Sequence, residues 1–353
     1  MAPARKMIDI TNGFLDPDKR RVILIVIFTS FLTISPVGYH LVVLNVPEKV
    51  IQSSLNQTFF NEYGRYLSAA DMSVLWAFIV SCQGLGALIG CFFIVPMTSY
   101  FGTKWAMMTW NNLILIFGSL IMGLSAKIDM FELMFIGRFL TGVYTGLACA
   151  LVPIFVYEIS PKEIRGALSC FMHIFVCVGS ALAAILSLNF ILGGEDTWGL
   201  LLAFPALLGL IQILASPMLP ETPSHLLMNG VEDKALQSIK FYHGSGSNLI
   251  ETMSRYNEQC SEIPQQWSIT DSFKNPKARW GIILGMVVSA TQIFCGSMAT
   301  VSYSTSMFES VSFITVLIPY LPAFGSILSA ILTLPALYLV ETMGRRKLLL
   351  STL

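Results

Sequence analysis

The chain has 353 residues, of which 54% are hydrophobic and 12% are charged, and its formal net charge at pH 7 is zero. The charged fraction is about half that of a soluble domain. Together with a mean hydropathy of +0.69, it excludes an ordinary water-soluble fold. The balanced charge gives no indication of a nucleic-acid partner, and none is predicted.

Eight blocks of the sequence are long and apolar enough to cross a bilayer, since a transmembrane helix needs about 20 mostly apolar residues. They span about 22–44, 72–97, 105–126, 131–157, 167–192, 197–219, 280–305 and 311–340. We therefore predict an all-α fold, a polytopic transmembrane helix bundle. No small-residue cleavage site follows the first block, so we interpret it as a retained helix rather than a signal peptide.

A polar stretch at residues 220–279 interrupts the hydrophobic pattern. It contains two segments, near 230–241 and 248–260, that we interpret as surface helices. The predicted organisation is a cytoplasmic N-terminus at 1–21, a six-helix half at 22–219, a cytoplasmic linker at 220–279 and two helices of a second half at 280–353. Two halves joined by a linker are typical of transporters built from parallel repeats.

The distribution of basic residues predicts the topology. They concentrate before the first block, in the linker and after the eighth block, so the positive-inside rule places both termini and the linker in the cytoplasm. The sequon at Asn56 then falls outside, where we expect it to be glycosylated. The chain is predicted to be a multi-pass protein of the lipid bilayer, in the plasma membrane.

Catalytic and metal-binding patterns are not found in the sequence. The seven cysteines and four histidines form no cluster with metal-ligand spacing, and the cysteines imply no disulfide framework. Phosphate-binding loops, nucleophile elbows and paired catalytic carboxylates are missing as well. We therefore predict no metal, no cofactor and no enzymatic activity.

Seven short motifs occur in order between residue 38 and the end of the chain. They are GY with NVPEKV at 38–39 and 45–50, GRF at 137–139, YEISP at 157–161, RGAL at 165–168, PETP at 220–223, YSTSMFE at 303–309 and VETMGRR at 340–346. In this order and spacing they resemble the sugar-porter branch of the major facilitator superfamily, in particular the animal facilitative hexose transporters. The resemblance implies two six-helix halves, a sugar site between them and alternating access.

The resemblance also implies a cytoplasmic gate made of charged residues. Glu158, Arg165 and Glu221 lie at the inner ends of blocks four, five and six and match gate residues of the family. Their counterparts in the second half are Glu341, Arg345 and Arg346. Opposite charges there can pair when the inner side is closed and must separate when it opens. The alternative is that these residues only anchor the helix ends at the membrane surface.

Two further residues lie within the first and fourth blocks. An ionisable residue inside a membrane helix usually faces the bundle interior and has a partner, so we predict that Arg138 serves helix packing rather than substrate contact. His40 occupies a position that is an aspartate in proton-coupled members of the family. Because no carboxylate stands there, we favour uniport over proton coupling.

The sugar site is where the chain departs from the family pattern. The family's glutamine in helix five is matched by His173, and the first of its glutamine pair in helix seven by Gln292; with Tyr303 they are the candidate substrate-binding residues. The family's other polar or small site positions are occupied by Phe175, Ile293, Met298 and Ser329. Since a site built for hydroxyls loses specificity when its amides are removed, we expect glucose to be a poor substrate. Alternatively, His173 and Gln292 only bond neighbouring helices.

Two functions are compatible with these observations. The first is facilitative transport of a hexose or related small polyol. The second is a non-transporting relative that acts as a sensing or assembly partner. The sequence ends after block eight, and helices nine to twelve of the family have no counterpart in it. We therefore expect that these 353 residues alone do not catalyse transport, and that a partner chain could supply the remaining helices.

Overall fold

In a computed structural model, the chain folds into a bundle of helices. The structure describes residues 17–128, 130–161, 164–244, 252–254, 256–258, 273–296, 300, 307, 318–343 and 347. The membrane helices, numbered α1 to α8 after the eight blocks, are Pro17–Val42, Ala69–Phe92, Thr103–Ile128, Glu132–Ile159, Arg165–Leu186, Trp198–Met218, Pro276–Phe294 and Leu321–Met343. Within the described part of the chain no strand occurs, which confirms the predicted all-α class.

The seventh predicted block, 280–305, is described only in part. Helix α7 ends at Phe294, next to Gly296, which adopts a left-handed backbone with φ of 75°, and most of residues 297–305 lie outside the described residues. A glycine in this conformation is a common way for a helix to end. The described residues therefore contain seven helices long and apolar enough to cross a membrane, and one shorter apolar helix, Ala278–Phe294.

An additional helix, Glu48–Tyr63, lies between α1 and α2 where we predicted only a loop. It buries Ile51, Leu55 and Thr58 on one face and ends at Gly64, whose φ is 68°. This outer helix is too polar to be recognised as a membrane span by its hydropathy. Its apolar residues nevertheless recur at helical spacing, which is the signal that could have identified it.

Glycines allow the helices of the first half to approach closely. A Cβ on Gly142 of α4 would overlap the backbone oxygen of Gln83 in α2, and a Cβ on Gly38 of α1 would overlap the backbone of α5. Small residues at such crossings permit the close packing that holds membrane helices together. The glycines in α2 and α4 therefore serve packing, as their place inside hydrophobic blocks suggests.

A buried polar network joins α1, α3, α4 and α6. Gln212 Nε2 donates to Thr33 Oγ1 at 2.7 Å, and Asn112 Nδ2 donates to Gln212 Oε1 at 3.0 Å. Tyr144 Oη donates to the backbone oxygen of Thr33 at 2.6 Å. All four residues are fully buried. Hydrogen bonds shielded from water in this way fix the relative positions of the helices that contribute to them.

The linker packs against the inner end of the bundle through the helix Glu232–His243. Tyr242 of this helix is buried and donates from its phenol to the backbone oxygen of Pro220 at 2.9 Å. Burial raises the pKa of the Tyr242 phenol well above its usual range, so that it stays a neutral donor. The Arg21 guanidinium of α1 lies 3.9 Å from the centre of the Phe241 ring. The linker is therefore attached to both α1 and the end of α6.

Candidate functional site

A cavity of about 490 Å³ lies between α5 and α8, where the first half meets the second. Its lining consists of Cys170, His173, Gly325, Leu328, Ser329, Leu332 and Thr333. The side chains at 170 and 173 belong to α5, and the others belong to α8. Residues on one face of each helix thus form two opposite walls of the cavity.

A chain of polar contacts crosses this interface. His173 Nε2 lies 3.6 Å from the Cys177 sulfur, one helical turn further along α5. The Cys177 thiol in turn donates to Ser329 Oγ of α8 at 3.5 Å. The Thr333 hydroxyl donates to the backbone oxygen of Ser329 at 2.7 Å, so its proton is used within α8. The proton of the Ser329 hydroxyl is therefore more available to a ligand than that of Thr333. His173, Cys177 and Ser329 therefore connect the two halves.

Among the described residues, the cavity lining offers few hydrogen-bonding groups to a ligand. His173 supplies an imidazole, Ser329 and Thr333 supply hydroxyls and Cys170 a thiol, while Leu328 and Leu332 supply apolar surface. A sugar needs many donors and acceptors to replace the water that it loses on binding. This lining suits one or two hydrogen bonds to a ligand and apolar contact with the rest of it.

The structure brings together only part of the predicted substrate site. His173 lies in the cavity, and so does Ser329, which we had noted only as the loss of an amide. Gln292 lies on an exposed part of α7 and is not among the lining residues. Tyr303 and Met298 fall outside the described residues. Ile293 is 63% exposed and does not line the cavity either.

Two residues of α5 differ from what the sequence suggested. Phe175 is buried against Phe31 of α1, with ring centres 5.6 Å apart, so its bulk fills the helix interface and not the cavity. Cys177 was not predicted as part of the site. Its spacing of four residues from His173 places both side chains on one helix face, which is the signal that could have identified it.

The second group of predicted residues lies where α4 and α6 end and α5 begins, at one end of the bundle. Glu221 Oε1 accepts hydrogen bonds from the backbone N–H groups of Lys104 at 2.8 Å and Thr222 at 3.0 Å. Gly102 leaves the room for this carboxylate, since a Cβ there would lie 2.7 Å from Glu221 Cδ. Glu221 thus connects the start of α3 to the end of α6.

The predicted gate residues form no ion pair with one another in the part of the chain that the structure describes. Arg165 donates to the backbone oxygen of Ser160 at 3.0 Å, and its guanidinium lies 3.9 Å from the centre of the Tyr157 ring. Glu158 lies near the hydroxyls of Thr103 and Thr222. Glu341 lies on α8, but its side chain is outside the described part, and so are Arg345 and Arg346.

Arg138 and Asn56 complete the predicted set. Arg138 is 3% exposed, and its Nη1 donates to the backbone oxygen of His40 at 3.0 Å, which connects α4 to α1. Asn56 lies in the outer helix, half-buried, and its Oδ1 accepts a hydrogen bond from the Leu67 N–H at 2.8 Å. Arg138 is therefore placed for packing, and glycosylation of Asn56 stays a prediction.

Relatives of this architecture are found among sugar transporters of known structure. The proton:xylose symporter XylE bound to 6-bromo-6-deoxy-D-glucose superposes with a TM-score of 0.76 at 18% identity, over 92% of this chain and 70% of that one. A partially occluded inward-open conformation of the xylose transporter XylE from E. coli gives a TM-score of 0.74. This similarity shows the fold, a major facilitator bundle.

Sequence comparison is more specific. Facilitated glucose transporter member 7 of solute carrier family 2 from Mus musculus is 30% identical over 333 residues, which are 94% of this chain and 65% of the relative. Member 1 from Gallus gallus is 32% identical over 315 residues, 88% of this chain and 63% of the relative. The chain thus spans about two thirds of the length of these relatives. Residues 22–353 match the model of the family described as "Sugar (and other) transporter", and the chain belongs to that family.

Proposed function

We propose that the chain takes part in facilitative transport of a hexose or related small polyol, by uniport through alternating access. The observation that carries the proposal is the cavity between α5 and α8, which lies at the boundary of the two halves and presents His173 and Ser329 to its interior. A ligand there would contact both halves at once. Family membership supports sugar as the substrate class.

Alternating access requires the contact between α5 and α8 to change. In this structure, the Cys177 thiol bonds to Ser329 at 3.5 Å. If the second half rocks against the first, this hydrogen bond must break or slide while the network around Gln212 keeps the first half intact. Motion would therefore concentrate at the wall of the cavity, where a bound ligand could favour one arrangement over the other.

The charged residues at the inner end are proposed to form the cytoplasmic gate. Glu158, Arg165 and Glu221 lie where α4, α5 and α6 meet the linker, which is the position that such a gate needs. Their proposed partners in the second half are Glu341, Arg345 and Arg346. In the same topology, residues 220–279 and both termini are cytoplasmic, Asn56 faces outside, and the protein resides in the plasma membrane.

The sparse polar lining predicts a weak preference for glucose. A hexose has hydroxyls around its whole ring, and each hydroxyl that loses water without gaining a partner costs binding energy. His173 and Ser329 can satisfy only some of them. A polyol with an apolar edge facing Leu328 and Leu332 fits this lining better.

The test is uptake of a panel of radiolabelled hexoses and polyols by liposomes that contain the purified chain together with a partner half that supplies helices nine to twelve, with a twelve-helix relative as positive control. Transport by the proposed site predicts saturable flux that appears only with the partner half, that His173→Ala and Ser329→Ala reduce, and that Ile293→Ala leaves unchanged. A proton gradient should not drive accumulation. Flux that is insensitive to both cavity variants would contradict the proposed site, and gradient-driven accumulation would contradict uniport.

The second candidate is a non-transporting relative that binds a ligand as a sensor or assembly partner. The observation that favours it is the same poor supply of hydrogen-bonding groups in the cavity, which limits the recognition of a hydroxyl-rich substrate. Binding of a polyol that His173→Ala abolishes, without flux in the liposome assay, would support this candidate. Saturable flux in the same assay, without binding to a signalling or assembly protein, would support the first candidate, transport.

A further inference from the structure

The contact between His173 and Cys177 has the composition of an activated thiol. The nucleophilic form of cysteine is the thiolate, and a neighbouring imidazole is a common base for generating it. His173 Nε2 lies 3.6 Å from the Cys177 sulfur, and Ser329 Oγ lies 3.5 Å from it on the opposite helix. If the thiol proton moves to Nε2, both Nε2–H and the Ser329 hydroxyl can donate to the resulting thiolate.

The position of this thiol relative to the cavity determines what can reach it. Cys177 itself is buried, but both of its polar neighbours line the cavity, so the sulfur lies directly behind the cavity wall. Cys177 is not itself a lining residue, so a reagent must pass the cavity wall to contact the sulfur, which favours small reagents. The lining residues include no carboxylate, lysine or arginine, so the cavity gives a charged reagent no counter-ion.

Cys170 provides an internal comparison within the same cavity. It also lines the cavity, and its thiol donates to the backbone oxygen of Gly166 at 3.6 Å. Labelling of Cys170 therefore reports that a reagent has entered the cavity, and the effect of His173→Gln on the labelling of Cys177 reports whether His173 activates that thiol.

We propose that Cys177 is a covalent modification site for small, uncharged Michael acceptors that enter the cavity between α5 and α8. The Cys177 sulfur forms a bond with the β-carbon of the acceptor, and the carbon–carbon π bond breaks. The electron pair moves to the α-carbon and carbonyl, and the proton held by His173 returns to the α-carbon. The product is a thioether that occupies the cavity. This inference does not depend on whether the chain transports a sugar.

The experiment is timed labelling of the full chain in membranes with N-ethylmaleimide, followed by mass spectrometry of the peptides that contain Cys170, Cys177 and Cys295. Cys295 is exposed and serves as the reference thiol. His173→Gln keeps a hydrogen-bonding side chain but removes the base. We expect it to slow Cys177 labelling by about tenfold or more, since a positioned base contributes at least that much, and to leave Cys295 unchanged.

Two further measurements test whether the labelling is specific for Cys177. A sulfonated, membrane-impermeant maleimide should label Cys177 much more slowly than N-ethylmaleimide does, relative to Cys295 in each sample. Cys177→Ser should abolish the adduct on that peptide alone. The proposal is overturned if Cys170 and Cys295 react fully while Cys177 stays unmodified. It is also overturned if His173→Gln leaves the Cys177 rate unchanged.

Discussion

The carboxylate of Glu221, at the end of α6, accepts a hydrogen bond from the backbone N–H of Lys104 at the start of α3, 2.8 Å away. Gly102 makes this contact possible in two ways. Its φ of 84° is unfavourable for any residue with a Cβ, and the space where a Cβ would lie is occupied by Glu221 Cδ at 2.7 Å.

We expect Gly102→Ala to destabilise the protein more than backbone strain alone would. Gly102→Ala in a Glu221→Ala background is the matched control, because it keeps the strain of a Cβ at φ 84° and ψ 158° and removes the contact with Glu221 Cδ. Relative to its own parent, Gly102→Ala should cost roughly 1–3 kcal/mol more when Glu221 is present, from overpacking against that side chain. Thermal unfolding in detergent measures both, and equal shifts would show that the contact with Glu221 contributes nothing.

The polar network of the first half predicts the effect of removing its central amide. Gln212→Leu leaves the buried hydroxyl of Thr33 without its donor and Asn112 Nδ2 without the Gln212 acceptor. Because Thr33 still donates to the Thr29 backbone oxygen and Asn112 to that of Met108, each lost hydrogen bond should cost about 0.5–1.5 kcal/mol. Leu214→Ala on the same helix is the control, because Leu214 is 70% exposed. If both variants unfold at the same temperature, the network does not stabilise the fold.

The composition of the cavity predicts how glucose uptake can be increased. The double variant His173→Gln with Ser329→Asn returns amides to two positions that line the cavity, and it should raise glucose uptake in transporter-null cells that also express a partner half supplying helices nine to twelve. Ile293→Gln returns an amide outside the cavity and should have little effect. High glucose uptake by the unmodified chain, or a larger gain from Ile293→Gln, would show that this cavity is not the sugar site.

The proposed topology can be tested with single introduced cysteines. Arg65→Cys, in the loop after the outer helix, should react with an impermeant maleimide on intact cells. Asn229→Cys, in the turn between the short helix Pro223–Met228 and the linker helix Glu232–His243, should react only after permeabilisation. Both positions are exposed, so access to the thiol depends on the side of the membrane. The reverse pattern would require both the linker and Asn56 to change sides.

Hydropathy was sufficient to predict the class of the fold and the positions of most membrane helices, because a bilayer demands long apolar segments. It was not sufficient for the outer helix Glu48–Tyr63, which is too polar for that criterion, or for the end of α7, which one glycine conformation decides. The outer helix depends on the apolar residues of one helix face, and the end of α7 depends on one backbone angle. The number of apolar residues in a segment gives no information about either property.

The site was predicted in part for a related reason. The family resemblance predicted His173 as a substrate-binding residue, and the structure places it in the lining of the cavity between α5 and α8. The contact between Cys177 and Ser329 joins residues 152 positions apart, so it follows only from the packing of α5 on α8. Alignment could not show that Phe175 turns toward Phe31 either, because equal spacing along a helix does not determine which neighbour a side chain meets.

The hydrogen bonds around Gln212 connect α1, α3, α4 and α6 through groups that water does not reach. Opening any one of these helices would break bonds that belong to the others, so the four should open as one cooperative unit. In native-state hydrogen–deuterium exchange, we expect their central amides to exchange together and slowly. The amides of α7, whose side chains are largely exposed, should exchange at their own, faster rate.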